Sequence, residues 1–236
     1  LLLPASFVNA QVSPDGKLQV TVKCEGGNPV YTVTYNGNQC MKASPLGLNT
    51  NIGDFTKGLS LTATSAVETV KTDYTLYNIK RKDNHYEANQ QTYTFAKDGK
   101  DVLKAIFHVS NSNVAFRYEI LNSKKDAMCA VVNDEATGFF MNDETTTFIC
   151  PQSETMVGWE RTKPSYEEEY TADAPMDVKS KFGEGYTLPC LFHIGDDGWV
   201  LVGETGNGSN YAGCHLSDYE KGKGYTIAFP NKIGRA

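Results

Sequence analysis

The chain contains no Cys-x-x-Cys pair, no Gly-x-Ser-x-Gly turn and no cluster of histidines. Its six cysteines (Cys24, Cys40, Cys129, Cys150, Cys190 and Cys214) stand singly, which excludes a zinc-ribbon type of metal cluster. The four histidines, His85, His108, His193 and His215, share no metal-ligand spacing. A hydrolytic serine or an activated cysteine has no recognisable context either. Basic charge is scarce as well: 22 lysines and arginines face 28 acids, scattered along 236 residues with a net charge of −6. No basic stripe exists for a phosphate backbone, so nucleic acid is excluded as a partner, and no lysine-rich helix suits an anionic membrane surface. No segment approaches the ~20 apolar residues of a transmembrane span. Long amphipathic helix patterns are missing too.

Strand signals fill the space that helices leave. "LQVTVKC" (18–24), "VYTVTY" (30–35), "QTYTFA" (91–96), "VAFRYEI" (114–120), "WVLVGE" (199–204) and "YTIAFP" (225–230) alternate in polarity or concentrate β-branched and aromatic residues. Turn chemistry separates them at "SPDGK" (13–17), "NG" (36–37), "KDGK" (97–100) and "DDG" (196–198). Many short strands close in sequence predict an all-β, antiparallel sandwich or barrel. Residues 151–187 break the rhythm with prolines and an acidic run, and are expected to form a long crossover inside one domain. The opening "LLLPASFVNA" (1–10) has the character of a signal-peptide remnant, apolar and then small at Val8 and Ala10. Residues 11–236 are then the folded domain of an exported protein, periplasmic or on the outer surface of a bacterium. In such a compartment the cysteines form up to three disulfides or remain buried thiols. Cys24 and Cys40 flank "YNGN" and are placed for a local bridge across a hairpin.

Candidate chemistry narrows to carboxylates. Glu167, Glu168 and Glu169 in "YEEEY" adjoin one another, whereas glycosidase acids approach from opposite sides of a cleft, so this run is expected to be a solvated loop. His108 and Glu119 are the obvious pair for a mutarotase-type epimerase, although no spacing favours them. Trp159, Trp199 and thirteen tyrosines offer stacking faces for a carbohydrate-binding or adhesive surface module, or else simply strand core. Glu204 differs from all of these. It ends the apolar run "WVLVG" and faces a glycine-rich loop, where a carboxylate must meet solvent, a base or a cation. Calcium takes such oxygen ligands, but it needs about 6 to 8 of them.

In this order, "SPDGKLQVTV" (13–22), "SPLGL" (44–48) with "GDF" (53–55), "NHYEA" (84–88), "VAFRYEI" (114–120) and "GWVLVGETGNGSNYAGCHL" (198–216) resemble the N-terminal domain of glycoside hydrolase family 97. The resemblance covers nearly the whole chain. It implies a β-super-sandwich similar to galactose mutarotase, packed on a catalytic (β/α)₈ barrel of an exported, calcium-dependent α-glucosidase or α-galactosidase. It also implies that Glu204 is a metal ligand, lent to a calcium shared with glutamates of the barrel. Where the family carries His-Glu-Ala, this chain has Gly203, Glu204 and Thr205, so the neighbours of the ligand differ. The chain ends at "FPNKIGRA" with no barrel in it, so no catalytic residue is expected among its own, and the carbohydrate is expected to meet it only through the full-length enzyme.

Overall fold

The computed structural model describes residues 10–121, 129–153, 168–196, 198–209 and 212–230. Every regular element among them is a strand: β1 (Gln11–Val12), β2 (Leu18–Glu25), β3 (Asn28–Tyr35), β4 (Asn38–Pro45), β5 (Leu48–Thr50), β6 (Gly53–Asp54), β7 (Ser60–Thr64), β8 (Glu68–Thr75), β9 (Asp83–Lys97) and β10 (Lys100–Val109). There follow β11 (Val114–Ile120), β12 (Val132–Glu135), β13 (Gly138–Phe139), β14 (Thr146–Phe148), β15 (Ala174–Pro175), β16 (Tyr186–Thr187), β17 (Cys190–Ile194), β18 (Gly198–Val202), β19 (His215–Leu216) and β20 (Tyr225–Ala228). The paired strands are antiparallel, as the sequence predicts. They divide into two compact units, one of residues 1–39 and 50–131, the other of residues 40–49 and 132–236.

In the first unit, β1, β2 and β3 lie side by side, and a second sheet runs β11-β10-β9-β7 with β8 also on β9. The expected turns are there: Asn36–Gly37 and Asp98–Gly99 both take positive φ at each position, the geometry that a two-residue hairpin between right-twisted strands requires. Inward residues of the two sheets make an aromatic core. Phe107 is fully buried, stacked on Phe116 at 4.8 Å, with the Tyr93 ring edge-on at 5.8 Å and Tyr31 at 6.0 Å. The expected Cys24–Cys40 bridge is not formed, and neither residue is part of a disulfide. Cys24 pairs opposite Pro29 beside the Gly26–Gly27 turn, at the end of β3 remote from the Asn36–Gly37 turn that precedes Cys40; its Sγ donates to the Leu59 carbonyl at 3.0 Å.

In the second unit, two four-stranded sheets run β13-β20-β19-β16 and β15-β14-β17-β18. Tyr225, Phe192, Met141 and Leu216 are buried to within 1% of complete. His215 is buried among these strands, opposite Thr187 and Ala228, and burial pushes its imidazole below the ordinary histidine value. The unfolded chain therefore takes a proton at His215 more readily than the folded one does. Stability from this group is present above the unfolded value of 6.5 and is lost as pH falls through it. His215→Gln should flatten the fall in melting temperature between pH 7.5 and 5; an unchanged slope would show that His215 does not carry it.

Candidate functional site

The apolar run before Glu204 forms β18, but the strand stops at Val202, two residues short of the acid. Nor is β18 a core strand on both faces, as its sequence suggests. Val202 is buried, together with Phe192 and Cys190 of β17, whereas Trp199 is 52% and Leu201 65% exposed. Trp199 stacks on its cross-strand neighbour His193 at 4.3 Å, and Phe148 of β14 approaches it at 5.3 Å. Leu201 lies opposite Leu191. One face of this sheet is thus core, and the other is apolar yet open.

Glu204 follows on an exposed segment, and its Oε1 accepts the Cys214 backbone N–H at 2.9 Å. The carboxylate closes the neck of a loop whose ends are ten residues apart. A Cβ on Gly213 would stand 3.3 Å from the same oxygen, so a larger residue there would crowd the acid. The acid's requirement for partners is met in part by that backbone donor and in part by solvent. Among the described residues no group of three or more His, Cys, Asp or Glu side chains is placed to hold a metal ion. One exposed carboxylate supplies one or two of the ~6 to 8 oxygens that a calcium takes, not a complete site.

Other sequence candidates are not brought together. His108 bonds Gln90 at 2.7 Å and Tyr86 at 3.3 Å, while Glu119 pairs with Lys104 at 3.2 Å. The register places Glu119 opposite Lys104 and His108 opposite Ala115, four strand positions and roughly 13 Å away. An acid–base pair of the mutarotase type is not assembled from these two residues. Burial, with Arg117 nearby, holds the His108 imidazole below its usual value. Glu168 is not solvated as expected: its side chain is 11% exposed and forms an ion pair with Lys181 at 3.0 Å. Glu169 and Tyr170 are exposed, while Glu167, Tyr166, Trp159 and residues 1–9 lie outside the described residues. The sequence reading missed the ion pairs of the β8–β9 ribbon, Lys71–Glu87 at 3.1 Å and His85–Asp73 at 2.6 Å, because they join positions far apart in the chain. Among the described residues, no helix is long and apolar enough to cross a membrane.

Comparisons with known proteins agree with the all-β fold. A solved β-arabinopyranosidase is 50% identical, with a TM-score of 0.89 over 94% of this chain and 35% of its own. A glycoside hydrolase family 97 enzyme from Pseudoalteromonas sp. strain K8, solved as a variant, is 20% identical with a TM-score of 0.78 over 94% of this chain and 32% of its own. The same enzyme in complex with panose gives a TM-score of 0.76. The chain thus spans about a third of the length of these structures. Among curated proteins no sequence matches. The profile described as glycosyl-hydrolase 97 N-terminal matches residues 12–231, and the chain belongs to that family.

Proposed function

We propose that this chain is the non-catalytic sandwich of an exported, calcium-dependent glycosidase, packing on the catalytic (β/α)₈ barrel and lending Glu204 to a calcium in its cleft. The observation that carries the reading is the open apolar face of β18, Trp199 and Leu201, on a strand that ends two residues before the exposed carboxylate. An apolar face against water is unfavourable by about 25 cal/mol per Å², and a covering domain removes that cost. The same domain would bring the remaining oxygens to the metal. When bound, calcium supplies positive charge that orients and polarises oxygen ligands. Glu204 holds one position towards it and keeps its loop closed through Cys214.

Identity of one residue in two with the β-arabinopyranosidase favours a related substrate. β-L-Arabinopyranose has the ring configuration of α-D-galactopyranose without the exocyclic carbon. The substrate class proposed is therefore α-galactosides and β-L-arabinopyranosides in preference to α-glucosides. Export rests on the apolar start of the chain with Val8 and Ala10 before residue 11. Purified alone, the chain should leave aryl α-galactosides and β-L-arabinopyranosides uncleaved. Turnover that survives purification, and that disappears when one of the chain's own acids is substituted, would refute the non-catalytic role.

A further inference from the structure

Beyond Asn89, the last residue of β9 that faces β10, the N-terminal half of β9 pairs with β8 alone among the described residues. The two strands pair over eight positions, from Glu68↔Gln90 to Thr75↔Asp83, and the six pairs from Val70↔Ala88 outwards form a two-stranded ribbon. Leu76 N–H continues the ladder to the Lys82 carbonyl at 2.8 Å. A two-stranded ribbon is marginal by itself in water, and its uncovered edges invite pairing.

Its two faces differ. One carries Lys71–Glu87, Asp73–His85 and a bond from Thr75 to Asp83 at 3.1 Å, charges already satisfied among themselves. The alternate positions give the other face Val70, Tyr74, Tyr86 and Ala88, interspersed with Thr72 and Asn84 and bounded at the base by Glu68 and Gln90, with the Tyr86 ring stacked on His108. Ala88 is buried at the base of the ribbon, whereas Tyr74, Leu76, Ile79 and Tyr77 become exposed towards the tip, Tyr77 by 76%. The tip is basic, with Lys80, Arg81 and Lys82 in succession, and Glu68 stands exposed at the base.

We propose that this ribbon is a self-association arm, the face that carries Val70, Tyr74 and Leu76 laid antiparallel on the same face of a second copy of the chain. A two-fold axis through the Thr72↔Tyr86 pair maps Tyr74 onto the level of Val70 and Leu76, the level of Lys82, onto that of Glu68. Each basic tip then meets an acidic base, twice per dimer, as a closed two-fold interface demands. The second copy is favoured because the arm's own charges complement each other under that symmetry, and this local attraction works against the general repulsion of two chains of net charge −6. Eight residue pairs give a strip of roughly 27 by 10 Å, burying about 500 Å² in total, below the 1,200 Å² of stable complexes. The dimer is accordingly weak and salt-sensitive.

Sedimentation of the 236-residue chain between about 5 and 500 μM should show a reversible dimer that weakens about tenfold or more when salt rises from ~0.05 to ~0.5 M. Lys82→Glu and Glu68→Lys, each at an exposed site, should weaken self-association roughly five- to tenfold while leaving the circular dichroism spectrum unchanged. Mixed, the two variants should associate with each other to within about twofold of the wild type, since each like-charge contact becomes an opposite one. A monomer throughout the range would overturn the proposal, as would a dimer indifferent to both substitutions. Weakened variants that fail to rescue one another would overturn it too.

Discussion

Tyr225→Ala should destabilise the second unit by about 3 to 5 kcal/mol, a large share of the ~5 to 15 kcal/mol that keeps a domain folded. Tyr225 is 1% exposed and meets the rings of Phe192 at 5.3 Å, Tyr219 at 5.5 Å and Tyr186 at 6.1 Å. Its hydroxyl donates to the Met176 carbonyl at 2.9 Å, a contact between positions 49 apart. Burial pushes the Tyr186 phenol up to about 12 and that of Tyr225 higher still, so both are protonated donors throughout the physiological range. Alanine removes the packing and orphans the carbonyl together. Tyr225→Phe removes only the donor and should cost about 1 to 3 kcal/mol. Denaturant titrations of the two variants separate these contributions, and equal losses would show that ring packing contributes nothing beyond the hydrogen bond.

Glu204→Gln should leave the chain's fold and loop intact and still weaken calcium binding in the complete enzyme by roughly 10- to 100-fold. The amide keeps an oxygen at the position of Oε1, so the Cys214 N–H retains its acceptor and the loop neck stays closed. Only the negative charge is lost, and a calcium ligand needs that charge where a loop clamp does not. Glu204→Ala loses both and should also loosen residues 204–214. If Glu204 is only a clamp, glutamine should behave as wild type in a calcium titration and alanine should not. If it is also the shared ligand, both should fail to hold the metal, with alanine alone disturbing the loop.

Much of the first unit was legible because its strands carry their own boundaries. β11 coincides with "VAFRYEI", and the turns at Asn36–Gly37 and Asp98–Gly99 lie where the residues tolerate positive φ. The arm was not legible in the same way. "ETVKTDYT" has too few apolar residues to signal a strand, and its order comes from cross-strand pairs such as Asp73–His85. In β18 the signal was present but ambiguous, since an apolar run reads alike whether its second face meets core or remains open for a partner. Trp199 and Leu201 resolve that ambiguity only through their exposure. Glu204 was identified by its position after an apolar run and by the family resemblance. Its bond to Cys214 crosses a loop of glycines and could not be read from spacing. Likewise, Glu168 shares a run with Glu169, yet its side chain is largely buried in an ion pair with Lys181.

The division of labour is tested most directly by exchanging domains. This chain would replace the matched N-terminal third of the β-arabinopyranosidase that is 50% identical to it, and release of aryl alcohol from an aryl β-L-arabinopyranoside would be followed with and without a calcium chelator. The exchanged enzyme should turn over and stop when calcium is removed, while the 236-residue chain alone does nothing under either condition. Sustained turnover by the isolated chain, lost on substitution of one of its own carboxylates, would contradict a non-catalytic domain; an exchanged enzyme that folds and works at the same rate with calcium stripped away would contradict the shared metal.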